Sequence, residues 1–178
     1  MPRLVDIPML ETERLTFRAP EIGDFDALAP FVMSERARYV GGGADKDIGH
    51  AWRILATLCG HWHLRGTGVF VAVRKDTGAP IGSMGPWYPD PWPERELSWT
   101  IWDSDAEGKG YATEAMIAIR RHVYADLGWD TAVSYVDPKN TRSAALAVCL
   151  DCVIDPDAKA PHAEDVVYRH PAPAEVLT

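Results

Sequence analysis

Gly108 and Gly110 separate an alternating, strand-like run (residues 96–102) from a segment with helical apolar spacing (residues 111–127). Strand, glycine loop, helix is an arrangement that aims bare backbone N–H groups and the positive end of a helix at an anion, most often phosphate. Glycine suits that loop because a side chain there would keep the backbone from closing around the ligand.

Two familiar phosphate loops fail on this stretch. A P-loop places a glycine five residues before the Gly-Lys pair and Ser or Thr after it, where this chain has Asp103 and Gly110. The dinucleotide pattern Gly-x-Gly-x-x-Gly breaks at Thr113. What remains, Glu107-Gly108-Lys109-Gly110-Tyr111-Ala112, resembles the acyl-CoA pyrophosphate loop of the GNAT N-acetyltransferases, Arg/Gln-x-x-Gly-x-Gly/Ala, with Glu107 departing at the first position. Residues 108–115 are similar to the ribosomal-protein N-acetyltransferase branch. So are Leu10-Glu11-Thr12-Glu13-Arg14-Leu15-Thr16-Phe17-Arg18 with Asp24 behind it, Gly78-Ala79-Pro80-Ile81-Gly82-Ser83, and Asn140-Thr141-Arg142-Ser143. These motifs follow the family's order and span most of residues 10–155.

Length and composition fit one domain over residues 1–178 with its core at about 10–170. At 47% apolar and 25% charged residues the chain is of ordinary globular type. It has no apolar run near the roughly 20 residues of a membrane span. Residues 1–6 show no signal-peptide pattern, so a cytoplasmic location is expected. Net charge is −8. That argues against a nucleic-acid partner and suits either a cationic substrate or plain solubility. Cys59, Cys149 and Cys152 form no metal-binding pair, and His61 and His63 diverge on a helix, so no metal is expected. A redox or metal enzyme has no ligand cluster behind it.

Periodicity predicts strands at 12–18, 69–74, 80–84, 96–102 and 131–136, with weaker ones at 152–154 and 166–170. Helices are expected after Asp24 through Val32, over 48–64, 111–127 and 143–150. Gly41-Gly42-Gly43 reads as the most flexible stretch, residues 86–93 as an aromatic surface loop, and residues 171–178 as a frayed tail. The result is a mixed α/β protein. The family resemblance implies a mostly antiparallel sheet of about six to seven strands, splayed between the 96–102 and 131–136 strands, with helices on both faces.

The resemblance also implies acetyl-CoA as co-substrate, with the amides of Gly108, Lys109, Gly110, Tyr111, Ala112 and Thr113 on the pyrophosphate. Lys109 either adds charge there or points to solvent. Glu107 is expected to turn its side chain outward, and Glu114 to complement the helix end. A strand bulge at Trp99, Thr100 and Ile101 would meet the acetyl carbonyl and the pantetheine, with Ile101 the polarising amide. Asn140 would bond the pantetheine and Ser143 would lie near the sulfur. The branch tyrosine is replaced by Ala147, and its Gly-Phe pair by Asp151-Cys152. Glu96 matches a glutamate base, its pKa raised by Trp87, Trp92 and Trp99. The loop Trp87-Tyr88-Pro89-Asp90-Pro91-Trp92 and Gly41–Gly43 would border a pocket for a primary amine, either a small cation or a protein N-terminus. A non-catalytic acyl-CoA-binding module on the same fold is the second reading. A homodimer through a sheet edge stays open.

Overall fold

The computed structural model describes residues 7–177, so the N-terminal segment read for a signal peptide lies outside the described residues. One eight-stranded sheet forms the protein. Its strands are β1 (Leu10–Glu11), β2 (Leu15–Arg18), β3 (Phe70–Arg74), β4 (Pro80–Trp87), β5 (Glu96–Ile101), β6 (Val133–Val136), β7 (Val153–Ile154) and β8 (Val166–Arg169), in the spatial order β1-β2-β3-β4-β5-β6-β8-β7. All neighbours are antiparallel except β5 and β6, which are parallel and share a single paired position, Glu96 with Val133.

Helices α1 (Phe25–Val32) and α2 (Ile48–Arg65) cover one face, and α3 (Tyr111–Ala125) and α4 (Thr141–Cys149) the other. The alternation of β5 divides its side chains between two cores. Leu97, Trp99 and Ile101 join Met116, Ile119 and Val123 of α3, whereas Trp102 joins Leu28, Val32 and Leu55 of α1 and α2. α2 begins at Asp47, whose side chain accepts from His50 N at 2.7 Å, and ends at Gly66 in the left-handed region. His61 is buried on α2. Its ring bonds Thr67 O and accepts from Tyr88 N, so it is committed to structure rather than to a metal. The three cysteines are free.

The structure differs from expectation in four places. The first strand is broken at Thr12–Arg14, where Thr12 N donates to Leu15 O and its hydroxyl accepts from Leu15 N, making the small hairpin that adds β1. β4 runs on to Trp87, so Pro86 and Trp87 belong to the sheet. Pro86 is compatible with that strand because it pairs with Leu97 at a position that makes no ladder bonds to β5. The tail is docked: Pro173–Val176 form a short helix, α5, Val176 and Leu177 pack on the core, and Tyr124 Oη donates to Pro171 O at 2.9 Å.

The triple glycine, finally, is a tied turn and not a free segment. Gly42 N donates to Ala37 O, Gly43 N to Val32 O at 2.8 Å, and His50 Nε2 bonds Gly41 O. A Cβ on Gly42 would lie 2.4 Å from Ala37 Cβ and 2.5 Å from Val32 O. Gly42→Ala is therefore expected to destabilise the protein by about 1–3 kcal/mol, read as a lowered thermal midpoint.

Candidate functional site

The glycine loop follows β5 through a 3₁₀ turn, Ser104–Ala106, capped by Asp103. Gly108 and Gly110 have φ of 70° and 77°, the region in which only glycine is comfortable. The first N–H groups of a helix have no partner within it. Here, among the described residues, none of the amides of residues 108–113 donates to a protein acceptor. A Cβ at Gly108 would meet nothing within 4 Å, so the space beside the loop at that position is open. These residues fit a diphosphate.

The back of the loop is fixed. Arg14 Nη1 donates to Lys109 O at 3.0 Å, and its guanidinium lies 4.4 Å from the Tyr111 ring centroid. Arg14 Nε and the Thr12 hydroxyl both donate to Glu114. Glu114, expected to complement the helix end, instead spends its carboxylate on tying the first turn of α3 to the β1–β2 hairpin. The Tyr111 ring is buried, leaving only its amide for a ligand, and Lys109 is exposed.

Glu107 does not turn outward. Arg36 holds its Oε1 at 2.5 and 2.9 Å through Nη2 and Nε, and Arg142 Nη1 bonds Oε2. Two guanidiniums surround the one carboxylate, so no bare negative charge faces the loop. The outward reading failed because both partners are far away in sequence.

β5 and β6 diverge from their one shared pair, and the closed end is well tied. Val133 N donates to Arg95 O, the Arg169 guanidinium spans Glu94 at 2.9 and 3.0 Å, and Ser134 Oγ donates to Leu97 O at 2.6 Å. Pairing of β5 with β4 is continuous from Glu96 to Ile101, so the expected bulge is absent. Trp102 N bonds Ile81 O, and strand alternation then sends the Thr100 and Ser98 amides to β4. The amides of Trp99 and Ile101 point into the gap. Thr100 has its amide spent on β4, and its hydroxyl bonds Ser83 Oγ and Trp102 Nε1.

A cleft of about 640 Å³ opens on this gap, lined in part by Tyr39, His50, Trp87, Trp92, Glu96 and Asp165. Trp87 stacks on His61 at 4.7 Å. Tyr88 does not line the cleft; its ring lies beneath the Arg65 guanidinium at 5.1 Å. Sequence alternation alone does not separate these neighbours, because the strand continues through Trp87 and turns afterwards. Glu96 is 8% exposed, and Trp92 Nε1 donates to its Oε2 at 2.6 Å. Burial, reinforced by the charge of Asp165 and opposed by the Trp92 bond, pushes its carboxyl up to about 8.

Asn140 and Ser143 open α4 beside the gap. Asn140 Oδ1 caps the helix by accepting from Ser143 N at 3.2 Å, and Ser143 Oγ accepts from Trp99 Nε1 at 3.2 Å. Both bonds fill acceptors and leave the Ser143 hydroxyl proton and the Asn140 Nδ2 protons to donate elsewhere. Ala147 is fully buried against the core. Asp151 takes φ 59°, a left-handed conformation that suits glycine, and Cys152 is buried beside it. The departures at 151–152 thus keep the backbone turn and an apolar plug.

Sequence reading missed three parts of the site. Arg36 carries no local signal, because its partner Glu107 lies 71 residues away. Glu164 and Asp165 line the cleft from a loop whose composition carries no signal. Ser134 accepts from His170 Nε2 at 2.9 Å while bonding Leu97 O, and burial with the nearby Arg120 charge keeps His170 neutral, its pKa down at about 3. A serine inside an apolar strand was the only hint. Among the described residues no cluster of three metal-ligating side chains occurs, and no helix is long and apolar enough to cross a membrane.

Residues 14–152 match the family model of the acetyltransferase (GNAT) domain. An acetyltransferase from Agrobacterium tumefaciens str. C58 is 37% identical, with 96% of this chain and 98% of that chain covered and a TM-score of 0.86. A GNAT-family acetyltransferase from Bacillus anthracis is 16% identical over 92% of this chain and 95% of that one, with a TM-score of 0.70. The ribosomal-protein-S5-alanine acetyltransferase from Vibrio fischeri gives 18% identity over 92% and 95%, with a TM-score of 0.65. The last two share the fold. No curated protein matches the chain. With the family model covering most of its length and the open amide loop beside a splayed sheet, the chain belongs to the GNAT acetyltransferases.

Proposed function

We propose that the protein transfers the acetyl group of acetyl-CoA to a primary amine by direct attack, with Glu96 as base and Ser143 as proton donor. The observation that carries this is the parting of β5 from β6. The gap between them receives the inward amides of Trp99 and Ile101, and the cleft that opens on it is lined by the buried Glu96 carboxyl. The chain leaving β5 runs into the loop of six unpartnered amides. The loop amides would hold the diphosphate, and the arm of the coenzyme would lie between β5 and β6 with Asn140 Nδ2 on its amides. The Ile101 amide would meet the thioester oxygen and stabilise the charge that develops on it.

An amine arrives protonated at neutral pH, since ordinary values are about 7.7–8.0 for a terminal α-amine and about 10.4 for lysine. Glu96, raised to about 8, takes that proton directly or through water as the nitrogen attacks. When the carbon–sulfur bond breaks, the Ser143 hydroxyl hydrogen-bonds the leaving thiolate and passes it a proton that the serine regains from water, so the serine ends neutral. Trp99 Nε1 occupies an acceptor position on that oxygen and so favours the donating orientation. Ala147 leaves no tyrosine to compete for the role. Trp87 and Trp92, with Glu164 and Asp165 across the cleft, suit a cationic acceptor, either a small amine or a protein N-terminus.

A coenzyme-binding module without turnover is favoured only by the changes at 107, 147 and 151–152, and all three are accommodated by neighbouring residues. Thiol release from acetyl-CoA against a panel of amines separates the readings. Coenzyme binding with no amine-dependent thiol would favour the module.

Glu96→Gln should lower kcat/KM by about 10²–10⁴ and remove the rise in rate as pH passes through about 8. Unchanged turnover and pH profile would reject the base assignment. Stability supplies an independent reading. The folded carboxyl keeps its proton up to about 8, whereas an unfolded one loses it near 4.5, so wild-type stability falls across that window and is level above it. The gain in thermal midpoint of Glu96→Gln over wild type should therefore be small at pH 5 and largest above pH 8.

Ser143→Ala should lower kcat by at least about tenfold, the worth of one hydrogen bond to a charged group. Coenzyme affinity should change little. Full turnover in this variant would remove Ser143 from the proton path.

A further inference from the structure

Of the two arginines that hold Glu107 beside the glycine loop, Arg142 is the less committed. It stands in the first turn of α4, between Asn140 and Ser143, and its side chain is 78% exposed. Among the described residues its one polar partner is Glu107 Oε2, and Glu107 precedes Gly108, the first open position of the loop. Arg36 behaves differently. It is 29% exposed, donates to Ile101 O and Trp102 O as well as to Glu107, and is locked against the end of β5.

Glu107 therefore has one permanent counter-ion and one exchangeable one. An exposed arginine–carboxylate pair stabilises little. Releasing Arg142 leaves Glu107 still neutralised by Arg36, so the move strands no charge. A phosphate in the loop offers a guanidinium a stronger partner, with more charge and a geometry that accepts two parallel N–H bonds.

The geometry points to Arg142 as a coenzyme-phosphate ligand of this chain, held in waiting on Glu107 and transferred to the phosphates when the coenzyme enters the loop. The inference deepens the acetyl-CoA reading and rests on it. It also gives the Glu107 departure a consequence. The positive or neutral side chain that the family pattern has at that place is supplied here from α4, across the cofactor groove. The shared chemistry is an anionic phosphate group, which the coenzyme carries both as its diphosphate and as its 3′-phosphate.

The test is titration calorimetry on the full chain, wild type against Arg142→Ala and Arg142→Lys. The probes are acetyl-CoA, acetyl-CoA lacking its 3′-phosphate, and acetyl-pantetheine, which has no phosphate. Arg142→Ala should weaken acetyl-CoA about tenfold, raise its KM in parallel, leave kcat nearly unchanged, and bind acetyl-pantetheine as wild type does. Arg142→Lys should recover part of the loss. If removing the 3′-phosphate abolishes the difference between wild type and Arg142→Ala, that phosphate is the partner. If the difference persists, the diphosphate is. Equal acetyl-CoA affinity in wild type and Arg142→Ala would overturn the inference. So would an equal loss for acetyl-pantetheine, which would mark Arg142 as a structural tie. Wild type that takes up no acetyl-CoA at all would instead overturn the coenzyme reading beneath it.

Discussion

One unpaired stretch of backbone governs this molecule. β5 is hydrogen-bonded along its whole length to β4, yet it meets β6 at a single position. Buried amides and carbonyls are seldom left alone, so a strand that parts from its neighbour must find partners elsewhere. On β5 two of the carbonyls find them: Leu97 O takes the Ser134 hydroxyl, and Ile101 O takes Arg36. The amides of Trp99 and Ile101, and Trp99 O between them, face the gap without a protein partner among the described residues. The edge of β5 is thus tied at both ends and open in the middle, offering two donors and one acceptor. That edge suits a ligand that carries amide groups, which can both accept and donate.

Two acidic residues border the same gap and are handled in opposite ways. Glu107 lies at the open end, half-buried, and is paired with two arginines. Glu96 lies at the closed end, walled by tryptophan, and is pushed toward its neutral form. The difference follows from where cations can reach. Arg36 enters from the turn after α1 and Arg142 from α4, both at the wide end. At the narrow end the nearby arginine, Arg169, is already engaged by Glu94 and Asp155. The carboxyl is raised there by burial first, with the charge of Asp165 adding to it and the Trp92 bond opposing it.

Local patterns made much of the fold legible. Alternation located β5 and β6, helical spacing with flanking glycines located α2 and α3, and the loop glycines proved to have the positive φ that their position demanded. Legibility ended where a residue's role depends on a partner distant along the chain. Glu107 looked solvated because Arg36 and Arg142 lie 71 and 35 residues away. Tyr88 looked like part of an aromatic wall because its neighbours Trp87 and Trp92 are. The register of β4 and the pull of Arg65 turn it aside. The triple glycine looked loose because composition alone does not reveal that Gly42 fits where a Cβ cannot.

The α4 terminus shows how far a motif can change while its physics persists. The family pattern there calls for a residue in left-handed conformation followed by a large apolar plug. Asp151 supplies the first, since aspartate tolerates that region better than most side chains. Cys152 supplies a smaller plug, and Leu150, fully buried beside it, fills the remaining volume. Arg120 Nη1 then donates to Leu150 O at 2.5 Å and ties this end of α4 to α3. Because the end of α4 is pinned, its start is pinned too, and Asn140, Arg142 and Ser143 are presented along the groove at fixed spacing. The role proposed for Ser143, at the opposite end of the helix from the substituted turn, depends on that helix staying in place. The buried arginine and the substituted turn hold it in place.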